Sequence, residues 1–335
     1  MKSGALVAAV TMVLFGGIAH AQTAGVAVQV SVGKNIPTVT QLTTVLRPGD
    51  FVRDVLGWHR ADPACNLRND PSLPIMIPSR LSELYQTVEA AGGRNFVTLA
   101  FNNKHCGQRT NSGAHAFPNT PQLRAEFAAY AVGVVKQVPA LGGISIWNEL
   151  NGTWSGGYQD RAQQLTDYCL LANAVITEVR KVDAQLPIAI GATVGADIDR
   201  WFIDMFDTYG CMGKGDPTIW LDVHPYLSGK RDPVRRQTDW QIWWDSIRNI
   251  RADQITNPLI ATEWGAKAAY LWSQAHPRSD YMKTFRTRVL AQDPAWAGFI
   301  WFEMLFDKAA PNAGLFDSTG ALTYFGTRYV KEFAQ

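Results

Sequence analysis

Eight short runs rich in apolar and β-branched residues alternate with segments of helical periodicity, and this alternation constrains the fold more than any other feature. The runs span Val26–Val32, Phe51–Trp58, Phe96–Phe101, Gly143–Trp147, Ile188–Val194, Ile219–His224, Leu259–Glu263 and Gly298–Phe302. Strands that are apolar at nearly every position are typical of a parallel sheet covered on both faces. Eight strand–helix repeats favour closure into an α/β fold of the (β/α)₈ TIM-barrel type over an open doubly wound sheet.

Seven segments between and after these runs predict helices. They are Pro78–Ala91, Pro121–Gln137, Tyr158–Val182, Ile198–Tyr209, Trp240–Arg251, Arg278–Gln292 and Thr323–Phe333. Each segment places apolar residues three and four positions apart, which gives a helix one face to bury. No G-x-G-x-x-G follows the first run, which weighs further against a dinucleotide-binding sheet.

The first 21 residues have the features of a secretory signal peptide. Lys2 precedes an apolar run from Ala5 to Ile18, and Ala19-His20-Ala21 forms a small-residue cleavage site. We therefore expect a secreted or periplasmic protein that is not held in a membrane after cleavage; a retained N-terminal anchor is the alternative. Residues 22–335 show no linker or low-complexity tract, which predicts one domain.

The charge and aromatic composition narrow the classes of partner. The net charge is only +2 and the basic residues are scattered, so neither nucleic acid nor an anionic membrane is indicated. Twelve tryptophans are many for this length, and several lie at predicted strand ends or in loops. Tryptophan and tyrosine faces pack against amphipathic surfaces such as sugar rings. This composition favours a carbohydrate partner, and we expect a monomer.

Four cysteines in an exported chain favour disulfides over a metal site, since no C-x-x-C or H-x-x-x-H spacing occurs. Cys65 and Cys106 fall in the loops after the second and third predicted strands, which are neighbours in a barrel. Cys169 lies in a long predicted helix and Cys211 follows the next one. Of the three possible pairings we predict 65–106 together with 169–211.

Polar residues cluster where the predicted strands end. Because the carboxyl ends of the strands meet at one face of a barrel, we expect these side chains to share a pocket. Two strand-end glutamates, Glu149 and Glu263, supply the carboxylate pair that a glycosidase requires. The other candidates for the pocket are Arg53, Asn102, Asn103, His105, Asn148, His224, Tyr226, Trp264, Trp301 and Glu303.

These residues carry a resemblance to a known group of enzymes. Asn148-Glu149 on strand four, His224-x-Tyr226 on strand six and Glu263 on strand seven resemble the clan of retaining glycoside hydrolases that contains families 5 and 39. The stretches W-N-E-L-N-G-T-W and A-G-F-I-W-F-E are more similar to family 39 and its exopolysaccharide-hydrolysing relatives. Two departures matter: Leu150 replaces a proline that commonly follows the Asn-Glu pair, and the chain lacks room for the extra β-domain of xylosidase-type members.

The resemblance implies roles for the two glutamates in double displacement at a β-glycosidic bond. Glu149 corresponds to the general acid/base and Glu263 to the nucleophile, and this chemistry requires no cofactor or metal.

Chemistry suggests roles for the residues around the pair, and we take Asn103 as a further substrate-binding residue. Arg53 and Tyr226 hold Glu263, while Asn148 donates to the sugar 2-hydroxyl. His224 binds the sugar or orients Glu149, and Trp301 forms the floor under the sugar. Trp147, Trp154 and Trp264 are further aromatic candidates.

Several alternatives stay open at this stage. Long loops at Asn66–Pro74 and Cys106–Thr120 predict a groove and internal cleavage of a polysaccharide. A catalytically inactive carbohydrate-binding barrel involved in exopolysaccharide handling is the alternative of another class, and an inverting hydrolase is a third. Glu303 is the main rival to the chosen carboxylate pair, as an acid of the same type at the end of the eighth strand.

Overall fold

The computed structural model describes residues 22–107, 117–152, 155, 160–195, 198–226, 239–265, 280–305 and 314–334. Within them, eight parallel strands close into a barrel in chain order, and the last strand pairs with the first at Ile300 and Gly25. The strands are β1 (Thr23–Ala27), β2 (Phe51–Gly57), β3 (Arg94–Ala100), β4 (Leu141–Ile146), β5 (Ile188–Val194), β6 (Ile219–His224), β7 (Leu259–Trp264) and β8 (Trp296–Trp301). The predicted (β/α)₈ fold is confirmed. The predicted signal peptide lies outside the described residues.

A helix follows each strand in the described part of the chain. These helices are α1 (Val39–Val45), α2 (Ser79–Ala90), α3 (Pro121–Gln137), α4 (Arg161–Arg180), α5 (Asp199–Asp207), α6 (Asp239–Ala252), α7 (Tyr281–Arg288) and α8 (Tyr324–Tyr329). A single helical turn, Trp58–Ala61, also follows β2 directly. The sequence predicts the last seven and misses α1, which is only seven residues long. A capping box between Thr38 and Gln41 fixes the start of α1, and this motif was a readable signal.

The first strand ends earlier than the sequence predicts. The Val26–Val32 run suggests a strand to residue 32, but β1 ends at Ala27 and Val30–Val32 form a 3₁₀ turn. The pairing of β1 with β2 stops at Ala27, opposite Arg53, although apolar residues continue beyond it. Val30 is buried while Val32 is exposed. Val30 is therefore buried as part of the loop that follows β1, and not as part of a longer strand. This loop lies beside Arg53 at the mouth of the barrel.

Large aromatic rings fill the interior of the barrel, and glycines make room for them. Phe51 and Phe96 belong to a buried cluster with Ile260 and Ile300, against which Trp220 and Phe302 pack. A Cβ added to Gly142 would lie 2.8 Å from the Phe51 ring, and one added to Gly143 would lie 2.7 Å from the Phe96 ring. Two successive glycines in β4 therefore make room for the large rings of β2 and β3, leaving a filled core beneath the mouth.

Two disulfides brace the structure outside the barrel. They join Cys65 to Cys106 and Cys169 to Cys211, the pairs that the sequence predicts. The first connects the loops after β2 and β3, and the second connects α4 to the segment after α5.

None of the helices in the described part of the chain combines the length and apolar character needed to cross a bilayer.

Candidate active site

Side chains from β2 and from the ends of β4, β6 and β7 meet at one mouth of the barrel. Arg53 lies on β2, Glu149 follows β4, and Glu263 lies on β7. His224 ends β6, and Tyr226 follows two residues later. The closed parallel topology brings together strand ends that are far apart in sequence, as the sequence predicts.

Glu263 is buried and both of its carboxylate oxygens are bound. The Arg53 guanidinium donates to Oε1 at 2.6 Å, and the Tyr226 hydroxyl donates to Oε2 at 2.6 Å. Burial alone would raise the pKa of Glu263. The charges of His224 and Arg53, together with the two hydrogen bonds, outweigh burial and hold the pKa below its usual value. Glu263 is therefore fixed in place and ionised at neutral pH.

Arg53 connects three neighbours in the site. Its Nε donates to Thr98 at 2.9 Å, and its two terminal nitrogens reach Glu263 at 2.6 Å and Asn148 Oδ1 at 2.7 Å. A guanidinium only donates hydrogen bonds, so the Asn148 atom that faces it must be the amide oxygen. The Asn148 amide nitrogen is thereby turned away from Arg53, as a donor held in one orientation.

Glu149 sits in a more open position than Glu263. Its side chain is 17% exposed, and its backbone adopts a left-handed φ of 45°, which is uncommon for a residue with a side chain. His224 Nδ1 approaches Glu149 Oε1 at 3.3 Å and Glu263 Oε2 at 3.7 Å. One carboxylate oxygen from each glutamate and a His224 ring nitrogen all lie within 4.8 Å of one another.

His224 lies beneath the two carboxylates with no exposed surface. Its Nε2 contacts the Thr262 hydroxyl at 3.0 Å. Burial lowers the pKa of His224, but the charge of Glu263, the hydrogen bond to Glu149 and the charge of Asp222 outweigh it. The net effect is a pKa above the usual value. The imidazolium form therefore persists to higher pH than in a free histidine.

The same three side chains offer the donor atoms of a metal site, and the charges around them argue for a different role. Both Glu263 oxygens already accept strong hydrogen bonds, from Arg53 and Tyr226. The Arg53 guanidinium beside Glu263 would repel a divalent cation. This donor set suits proton transfer between Glu149 and its surroundings better than metal coordination.

Two predicted substrate contacts are placed elsewhere. Trp301 is fully buried, with its ring 4.9 Å from that of Trp264, so it cannot form a floor under a sugar. Phe302 follows it, half-buried, on the side of the barrel interior. Asn103 is also buried, and its amide binds the Asp62 carbonyl and the His105 N–H. Its amide therefore holds a loop, and the predictions for Trp301 and Asn103 were wrong.

Four further candidates fall into three groups. Trp147 and Trp264 are fully buried in aromatic clusters and are unsuited as sugar platforms. Trp154 lies outside the described residues. Glu303 is buried beside the mouth, with Lys34 Nζ 3.9 Å from its carboxylate.

A small cavity of about 200 Å³ opens directly onto this constellation. Arg53, Asn148 and Glu263 form part of its wall, and Phe101 lines it as well. The loop after β1 contributes Gln29, Ser31 and Val32, and the end of β2 leads to His59 and Arg60. Sequence reasoning missed this last set because these residues lie beyond the predicted strand ends or in the run assigned to β1.

Polar residues inside the strands were missed as well. Thr98, Ser145 and Thr262 are fully buried hydroxyls that bind the charged residues of the site. A threonine in a β-rich run gives no signal of its own, because threonine is common in strands. Asp222 was a readable signal, since it precedes His224 by two residues and shares its face of β6.

No family model matches the sequence, and no protein of curated function matches it. Solved structures do. A family 39 glycoside hydrolase from Bacteroides cellulosilyticus WH2 gives a TM-score of 0.59 at 19% identity, covering 91% of this chain and 61% of the other. A family 39 β-xylosidase from Caulobacter crescentus gives 0.61 at 16% identity, covering 92% and 70%. A β-glucosidase from Exiguobacterium marinum gives 0.60 at 12% identity, covering 93% and 97%.

These neighbours are of the kind that the sequence resemblance implies. At such identities the likeness shows a shared fold. The chain spans less than two thirds of two of the family 39 enzymes, 61% of the one above and 65% of one from Xanthomonas axonopodis pv. citri.

Proposed function

We propose that the protein is a retaining glycoside hydrolase of the family 39 type, with Glu149 as general acid/base and Glu263 as nucleophile. The observation that carries the proposal is the unequal environment of two facing carboxyl groups. Glu263 is buried and bound on both oxygens, whereas Glu149 is more exposed and contacts His224. An ionised nucleophile beside a more accessible acid is the pairing that double displacement uses.

The environment of Glu263 suits attack on an anomeric carbon. Arg53 and Tyr226 keep its carboxylate charged and restrict its rotation. The carboxylate adds to the sugar as the glycosidic bond breaks, and Glu149 donates its proton to the leaving oxygen. Water then attacks the glycosyl–enzyme ester while Glu149 takes up a proton from that water, which restores both residues.

Asn148 suits recognition of the sugar 2-hydroxyl. Its oxygen is held by Arg53, so its amide nitrogen points away from Arg53 with a fixed orientation. A hydrogen bond at this position strengthens as the oxocarbenium-like transition state forms. Arg53 therefore orients the nucleophile and this donor with one side chain.

The separation of the two carboxyl groups supports retention over inversion. Oxygens of Glu149 and Glu263 approach within 4.8 Å. Retaining enzymes hold the two groups about 5–5.5 Å apart, while inverting enzymes leave about 6.5–9.5 Å for a water molecule. An oxygen pair this close is nearer to the retaining spacing than to the inverting one, which supports the proposed retention.

We propose a β-linked polysaccharide as the substrate, cleaved internally. A second and larger cavity of about 880 Å³ lies on the same face, between residues 33–36 of the β1 loop and residues 317–320. Gly33 and Lys34 line it, directly after the Val32 that lines the catalytic cavity. A cavity of this size, lined by the residues that follow Val32 in the chain, supports polymer binding. The neighbours named as β-xylosidase and β-glucosidase support the β-linkage.

We also propose export as the setting. Two disulfides without a free cysteine in the described structure fit an oxidising compartment. This agrees with the signal peptide that the sequence predicts.

The proposal is tested by a product-size and reducing-end assay on β-glucans, xylan, mannan, galactan and bacterial exopolysaccharides. Glu263→Gln serves as the matched inactive variant, because glutamine keeps the size of the side chain. Oligosaccharides released by the native protein and not by the variant, with the β-anomer first in ¹H NMR, are expected. Binding of a polymer by both proteins without release from any substrate would instead support a catalytically inactive barrel.

A further inference from the structure

A chain of buried polar side chains runs from His224 away from the substrate cavity. His224 Nε2 lies 3.0 Å from the Thr262 hydroxyl, which lies 2.6 Å from Asp222 Oδ1. The Ser145 hydroxyl donates to the other Asp222 oxygen. All four side chains are fully buried. The reaction proposed above uses neither Asp222 nor Thr262 directly.

Two hydroxyls donate to the two oxygens of Asp222, as they would to an ionised carboxylate, and with Asp222 ionised the hydrogen bonds determine which His224 nitrogen carries a proton. An ionised carboxylate only accepts hydrogen bonds, so Asp222 receives one from Thr262 and one from Ser145. A threonine hydroxyl has a single proton, and Thr262 donates it to Asp222. The Thr262 oxygen can therefore only accept from His224, which requires a proton on Nε2.

We propose that Asp222 and Thr262 are positioning residues that hold a permanent proton on His224 Nε2, so that the proton His224 gains and loses sits on Nδ1, facing Glu149. The role of Glu149 as acid/base rests on the function proposed above, whereas the proton arrangement does not. His224 then acts as a switch beneath Glu149: its charged form donates to the Glu149 carboxylate, and its neutral form presents a bare nitrogen.

This arrangement has a direct use in double displacement. When Glu149 gives its proton to the leaving oxygen, the Nδ1–H of the imidazolium donates to the carboxylate that remains. Water returns a proton to Glu149 in the second step. At a pH below the pKa of His224 the imidazolium keeps both of its protons through the two steps, and the negative Asp222 offsets its charge through Thr262. Without the Nδ1 proton, two acceptors would face each other at 3.3 Å once Glu149 has given its own proton to the leaving oxygen.

The other charged groups around His224 either favour or disfavour its imidazolium form. The pKa of Asp222 lies above its usual value, because burial outweighs the charge of His224 and the hydrogen bonds from Ser145 and Thr262, all of which favour the ionised form. Glu263 and Glu149 favour the imidazolium and Arg53 disfavours it. The charged and titratable groups facing the ring are Arg53, Glu149, Asp222, Tyr226 and Glu263. With a raised pKa, the imidazolium is present below that pKa and is lost as the pH rises through it.

The test is long-range ¹H–¹⁵N NMR of the purified protein with ¹⁵N-labelled histidines, with His224→Gln used for assignment. We expect Nε2 of His224 to stay protonated across the titration, while Nδ1 loses its proton as the pH rises. A neutral His224 with its proton on Nδ1 and a bare Nε2 would overturn the proposal. This spectrum needs no substrate, so it decides the proton arrangement whether or not the protein hydrolyses glycans.

Two variants of one position extend the test. Thr262→Val keeps the shape and removes the hydroxyl, and Thr262→Ser keeps the hydroxyl. We expect mixed neutral tautomers in the valine variant and a native spectrum in the serine variant. On aryl β-glycosides with poor leaving groups, the valine variant should lose about tenfold in kcat, the equivalent of one hydrogen bond. If Thr262→Val left kcat unchanged, and left unchanged the pH at which kcat falls on the alkaline side of its pH profile, the positioning role would be refuted.

Discussion

Glu263 and Glu149 carry the same carboxyl group at the ends of two strands, but the structure surrounds them differently. Glu263 has a side-chain exposure of 9% and hydrogen bonds from Arg53 and Tyr226, and its pKa is lowered. Glu149 has an exposure of 17%, a left-handed backbone and a contact with a titrating histidine. The strand ends therefore supply two chemically equivalent acids. The hydrogen bonds and charges of the neighbouring residues give each acid its own environment and accessibility.

The largest expected effect comes from removing the held carboxylate. Glu263→Ala and Glu263→Gln should each lower turnover by about 10⁵-fold, as expected when a covalent nucleophile is lost. They should differ in stability, because alanine leaves the buried Arg53 without its partner at a cost of about 3–5 kcal/mol. Kinetics and thermal unfolding measure the two effects. A glutamine variant that still turns over would remove Glu263 from the chemistry.

Glu149→Ala should have a smaller effect that depends on the leaving group. Loss of a general acid costs about 10²–10⁴-fold when the leaving group needs a proton. Substrates with very good leaving groups should keep their first step, and azide should rescue turnover by replacing water. Rates on a series of aryl β-glycosides measure this dependence. Equal losses on good and poor leaving groups would contradict the acid role.

Loss of the Asn148 amide donor should give the third largest effect. Asn148→Asp keeps the oxygen that accepts from Arg53 and removes the amide donor, and Asn148→Ala removes both. Each should lower kcat/KM by about 10²-fold on an ordinary glycoside, since a hydrogen bond to a developing charge is lost. On a 2-deoxy glycoside the same variants should lose little. A full loss on the 2-deoxy substrate would mean that Asn148 acts only through Arg53.

The sequence could point to the cluster of strand-end residues because charged residues are conspicuous in apolar strands. Glu149, His224 and Glu263 interrupt β-rich runs at their ends, and the parallel topology then brings them together. The sequence could not assign the supporting hydroxyls in the same way. Thr98 and Thr262 look like ordinary strand residues until their partners are known.

The error at Trp301 has a different physical origin. β8 is buried along its whole length, so no alternation of polar and apolar residues shows which side chains face the interior. The neighbouring tryptophan and phenylalanine therefore could not be told apart by pattern. In the structure Trp301 packs against Trp264 and Tyr329 outside the barrel, while Phe302 packs on the interior cluster.

The smallest effect that we expect would weaken the contrast between the carboxylates without abolishing it. Tyr226→Phe removes the hydrogen bond to Glu263 Oε2 and leaves the Arg53 ion pair in place. We expect a loss of about tenfold in kcat/KM at neutral pH, in line with one hydrogen bond to a charged group. Tyr324→Phe, at an exposed tyrosine of α8, is the matched control.

The pH dependence of Tyr226→Phe carries the sharper information. The native environment lowers the pKa of Glu263, so its ionised form and the stability linked to it persist above the unfolded pKa and are lost as the pH falls through the folded pKa. Removing one stabilising hydrogen bond raises that folded pKa. The acid limb of kcat/KM should therefore move to higher pH, and the stability difference from the native protein should shrink as the pH falls. An acid limb that stays in place would mean that Arg53 and His224 alone keep Glu263 ionised.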